Sequence, residues 1–164
     1  MQDNNLLKLI YTFFLGIFLA IFVGVGINTF YPGPKSPEFP TALNTYGKEP
    51  ELTNDQIKIQ KDWDQTMAQH NQDMKPYNRN VSMLTLAAAV IFLVVSIAYE
   101  KKIKIIADGI MLGGLFTLLY SLGRGFASEN SKYVFAVVSV GLAIILFLGY
   151  HRFVRINTKQ QKIS

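Results

Sequence analysis

The stretch VSMLTLAAAVIFLVVSIAY at positions 81–99 has no charge in nineteen residues. About 20 apolar residues are needed to carry a helix across a bilayer. Three further runs of similar length and character occur at 9–30, 103–123 and 133–150. Between the first run and 81–99 lies a polar insert, residues 31–80. This rhythm predicts an all-α integral membrane four-helix bundle. An extracytoplasmic amphipathic helix is expected in the loop between spans one and two.

Composition agrees. Of 164 residues, 50% are hydrophobic and 16% are charged, against about 25% charged in an ordinary soluble domain. No length remains for a separate soluble core. The absence of cysteine excludes disulfides, thiolate metal sites and cysteine nucleophiles. The net charge of +5 does not point to nucleic acid, because the bases collect at the span ends. Lys101, Lys102 and Lys104 separate spans two and three, and Arg152, Arg155, Lys159 and Lys162 follow span four. The insert carries seven acids and six bases.

Basic residues beside spans set orientation. The N-terminus, the loop near 100–104 and the tail share one side, with eight Lys/Arg in a short total length. The other side spreads eight over residues 31–80 and 124–132. Both termini are therefore expected to be cytoplasmic, in a plasma (inner) membrane. Tyr11, Tyr99 and Tyr150 then mark the inner interface, and Tyr31, Tyr77 and Tyr133 the outer one. The first run exceeds the 7–15 apolar residues of a signal peptide, so it reads as a retained span.

The chain divides accordingly. Residues 1–30 form the N-terminus and span one, 31–80 the insert, 81–99 span two and 100–102 the inner loop. Residues 103–123 form span three, 124–132 the outer loop, 133–150 span four and 151–164 a basic tail.

The insert has two parts. YPGPKSPEFP, residues 31–40, holds four prolines; it cannot continue a helix and favours an extended strap across the bundle top. From Thr53 a capping box (Thr53 to Gln56) opens a helix to about residue 75. Ile59, Trp63, Met67, His70 and Met74 fall on one face at spacings of 3 and 4. Lys58, Lys61, Asp62, Gln65, Gln69 and Gln72 occupy the opposite face. Pro76 is expected to break or kink this helix before span two. A narrow apolar stripe calls for cover from the bundle, a second copy or another protein, with Trp63 as its aromatic anchor. Met67, His70 and Met74 include donors a soft metal accepts, but no second histidine or cysteine supports them. Packing is the reading, with no metal and no cofactor.

Within the spans, Gly16, Ala20 and Gly24 lie four apart, as do Gly109 and Gly113. Such rows let helix backbones approach closely. Asp108 lies about one turn inside span three, where an ionisable group is a functional suspect. The plain alternative is an interfacial pair with Lys104 or a basic residue of the tail. Arg124 and Asn28 mark the other end, with Glu129 or acids of the insert as expected partners of Arg124. The span middles hold few polar groups besides Thr85, Ser96, Thr117 and Ser139, which argues against a water-filled pore in one subunit. No paired carboxylates, activated nucleophile or phosphate loop appears. The Asp108-Gly109 pair lacks the other aspartates and the arginine of the lipid-alcohol phosphotransferase signature.

The segments GVGINTFYPGP (24–34) and SPEFP (36–40) resemble those of uncharacterised four-span membrane proteins of candidate-phyla bacteria. That resemblance implies a bacterial multi-pass protein and brings no activity with it. The layout of loops is also similar to that of claudin-like proteins, whose cysteine pair and tryptophan motif are missing here. The functional expectation is a non-enzymatic interaction, scaffold or accessory subunit. Its partners would be membrane lipids and either its own copies or another membrane or extracytoplasmic protein. A small oligomeric transporter or channel using Asp108 and Arg124 is the alternative.

Overall fold

The computed structural model describes residues 3–43 and 54–154. These form α1 (Asp3–Phe30), a short 3-10 turn (Thr41–Leu43), α2 (Asn54–Tyr99), α3 (Lys104–Phe126) and α4 (Ser131–Gly149). A π turn (Tyr150–Val154) extends α4. The four α-helices are each long and apolar enough to cross a membrane. No strand occurs among the described residues. Thr53, the expected N-cap, and the tail bases Arg155, Lys159 and Lys162 lie outside them.

One element differs from the sequence reading. Residues 54–99 form a single helix that runs through Pro76; of the break or kink expected there from sequence, the break does not occur. Proline removes one i to i−4 bond, here the one to the carbonyl of residue 72. Pro76 and Gln72 are both exposed, so water can satisfy the freed carbonyl and the helix continues. The 46 residues of α2 rise ~69 Å at 1.5 Å each. That is more than twice the ~30 Å hydrocarbon thickness. Only part of α2 is needed to cross a bilayer, and its charged half, 54–79, is the part whose burial in lipid would cost most.

α3 is the central helix and packs on α1, α2 and α4. Its glycines face two ways. A Cβ on Gly109 would lie 2.6 Å from Leu15 Cδ2, and one on Gly113 would lie 2.9 Å from Leu19 Cβ. A Cβ on Gly16 would in turn approach Leu112 and the Gly113 backbone. Gly114, on the α2 side, has Leu93 and the Ala89 carbonyl in the same relation. Gly24 has no such neighbour within 4 Å, and Ala20 is half-buried. The row Gly16, Ala20, Gly24 is thus a close-contact seam at its first member and open at its last.

Hydroxyls rather than bulky aliphatics fill much of the α2–α3 seam. Ser82 Oγ donates to the Ser121 carbonyl at 2.8 Å, and Ser121 Oγ returns the bond to the Ser82 carbonyl at 2.8 Å. Ser96 Oγ donates to the Ala107 carbonyl at 2.7 Å. Thr85 and Thr117, both fully buried, bond back to carbonyls of their own helices. In lipid the interhelical bonds of Ser82, Ser121 and Ser96 stand in for the missing hydrophobic drive between helices, each contributing on the order of 0.6 kcal/mol.

Overpacking a close seam costs about 1–3 kcal/mol. Gly113→Val should lower the unfolding free energy in detergent by about that amount, because α1 must move away from α3. Gly24→Ala should leave it unchanged or slightly raised. Equal loss in both variants would show that α1 does not depend on this seam.

Candidate functional site

The charged half of α2 carries its own cover. From the end of α1 the proline strap runs antiparallel beside α2, towards the helix N-terminus. Tyr31 stacks on Tyr77 with ring centroids 5.5 Å apart, and Tyr77 Oη donates to the Tyr31 carbonyl at 3.2 Å. Asn80 Nδ2 donates to Tyr31 Oη at 3.0 Å. Gly33 sits so close that a Cβ there would be 2.9 Å from Tyr77 Cε1, which is why a bare backbone is needed. Farther along, Phe39 meets Trp63 edge to face at 5.5 Å, and Leu43 is buried where the 3-10 turn packs on α2. The lengths match: residues 63 to 77 of a helix span ~21 Å, and residues 31 to 39 as polyproline-like chain span ~25 Å.

The strap therefore climbs the helix rather than crossing the bundle top. Ile59, Trp63, Met67, His70 and Met74 are all half-buried, while Lys58, Lys61, Asp62, Gln65, Gln69 and Gln72 are exposed. Trp63 is engaged within its own chain by Phe39. Phe39 remains 53% exposed, so the aromatic pair still presents a surface.

A second group of side chains lies where α2 passes the α3–α4 turn. Arg124 Nη1 donates to Asn78 Oδ1 at 2.8 Å, and Arg124 Nε donates to Tyr120 Oη at 3.0 Å. Its guanidinium carbon lies 5.7 Å from the Tyr77 ring centre and 5.5 Å from that of Tyr120. Asn78, itself buried, donates through Nδ2 to the Ala127 carbonyl at 3.2 Å. Glu129, the expected partner of Arg124, instead pairs with Lys75 at 2.7 Å. Among the described residues Arg124 has no carboxylate partner. An amide and two aromatic faces hold the cation instead. Asn28 is exposed on α1 and takes no part in these bonds.

At the opposite end Asp108 pairs with Arg152 of the π turn, whose Nη1 also approaches Met111 Sδ at 3.2 Å. The partner is thus a basic residue following span four rather than Lys104. Both side chains are largely covered, at 29% and 19% exposure. The pair ties the end of α4, otherwise lightly packed, to α3.

Asp108 and Arg124 stand at opposite ends of α3, and the structure does not bring them together. Between them, the buried hydroxyls of α2 and α3 are all bonded to backbone carbonyls. No group of three or more His, Cys, Asp or Glu able to hold a metal occurs among the described residues. Sequence reading did not foresee the tyrosine pair around Arg124, the Lys75–Glu129 bridge or the reciprocal serines. Tyr77 was visible as an interface marker, but nothing in the sequence joins it to Tyr120 around one arginine or to Tyr31 of the strap. No family model, curated protein or solved structure matches this chain.

A double-mutant cycle tests the Asp108–Arg152 pair. Asp108→Asn alone strands a largely covered cation, and adding Arg152→Gln should restore part of the lost stability. A coupling of about 1 kcal/mol is expected from thermal unfolding in detergent. Additive losses would mean that the pair does not hold α4.

Proposed function

We propose that this chain is a non-enzymatic interaction or accessory subunit of a plasma (inner) membrane, with both termini cytoplasmic. The strap and the charged half of α2 form its extracytoplasmic element. The observation that carries this reading is the Phe39–Trp63 pair. It sits on a helix ~69 Å long, far from the spans and incompletely covered. A long helix bearing one clustered aromatic site, set among charged and amide side chains, suits recognition of another protein. Stripe residues Ile59 and Met67 flank Trp63 by one turn each and would complete the contact. The partner is a second copy or another membrane or extracytoplasmic protein.

The bonded state of the buried hydroxyls also favours this reading over a solute path inside one subunit. A path needs polar groups free to exchange with the solute.

Native mass and co-purifying protein, measured after gentle extraction, test the proposal. Trp63→Ala should abolish the assembly, or weaken it by about 30-fold or more, as loss of an aromatic anchor does. Phe39→Ala should weaken it in the same direction, while both variants still insert and retain their helix content. An assembly unchanged in Trp63→Ala combined with Ile59→Ala would overturn the reading.

A further inference from the structure

An open groove of about 590 Å³ lies between the first turns of α1 and α3. Asn5, Lys8, Thr12 and Lys104 supply its polar lining, and Leu9 and Ile105 are among its apolar residues. Its one carboxylate is Asp108, which Arg152 neutralises. Neither lysine has an ion-pair partner among the described residues. The groove is therefore an unbalanced positive site of two ammonium groups. It combines amide and hydroxyl donors with an aliphatic lining.

Its depth identifies the occupant. Lys8 immediately precedes the apolar run of α1, and Lys104 opens α3. With the four helices across a bilayer, a reading on which this inference rests, both ammonium groups stand at headgroup level. The aliphatic residues lie at the boundary with the acyl chains. Lysines at that depth pair with lipid phosphate and lie within reach of anionic headgroups.

We propose that this groove is a binding site for an anionic phospholipid. The lipid phosphate lies between Lys8 and Lys104, Asn5 and Thr12 supply hydrogen bonds to the headgroup, and the upper acyl chain rests against Leu9 and Ile105. Charge complementarity selects the anionic lipid over a zwitterionic one, whose own cation the two lysines repel. The site is distinct from the Phe39–Trp63 pair, and its failure would leave the proposed interaction role untouched.

The full-length protein is purified in micelles doped with phosphatidylglycerol or phosphatidylcholine, and retained lipid is counted by native mass spectrometry. One phosphatidylglycerol per chain is expected, with retention at least about tenfold above phosphatidylcholine. Lys8→Gln combined with Lys104→Gln should abolish that preference. Lys101→Gln combined with Lys102→Gln, which removes two charges at the same end but outside the groove, should preserve it. Equal retention of both lipids would overturn the proposal. So would equal loss in the two double variants, since general surface charge would then explain binding. Displacement of the lipid by millimolar inorganic phosphate would identify a free-anion site and also overturn it. Unchanged helix content and monodispersity keep the variants comparable.

Discussion

Close backbone approach along α3 is the constraint on which the rest of the bundle depends. Lipid offers no hydrophobic drive to bring apolar helices together. Association must come from van der Waals contact and from bonds between polar groups. Gly109 and Gly113 admit Leu15 and Leu19 of α1, and Gly114 admits Leu93 of α2. Once α2 is that close, Ser82 and Ser121 can reach each other's carbonyls. Glycine thus sets the distance, and serine bonds across it.

The firm α2–α3 seam explains how so long a helix is aimed. Lys75, Asn78 and Ser82 follow one another along α2 at spacings of three and four, and each has a partner in α3 or the turn after it. Tyr133 Oη adds a bond to the Arg79 carbonyl at 3.2 Å. These bonds fall on both sides of Pro76, and the strap lies along the helix from Tyr77 towards Trp63. The helix direction is held on both sides of the residue most able to bend it. Phe39 and Trp63 consequently stand at a defined place relative to the spans.

The ionisable groups of α3 serve different neighbours. Arg124 is held by an amide and two tyrosines, and Asp108 by the arginine that closes α4. Their separation by nearly the whole helix and the bonded hydroxyls between them make each a local fastening. Lys8 and Lys104, by contrast, have no such fastening among the described residues, and their charge is turned to the surroundings.

The helical class, the four apolar runs and the polar face of the first half of α2 were legible from the sequence alone. Hydropathy over about 20 residues is a local property and needs no partner. So is the extended character of a segment with four prolines in ten residues. The continuity of α2 was not legible, because a proline is tolerated wherever the carbonyl it frees can be hydrated, and that depends on which face is exposed. The same applies to Trp63: its spacing places it on a stripe, but its cover comes from Phe39 in another segment. Arg124 meets Asn78 and Asp108 meets Arg152 across 46 and 44 positions. Sequence determined which residues needed partners, through their charge and polarity. Only the tertiary structure decided which partners they took, because helix register brings together side chains that no local pattern relates.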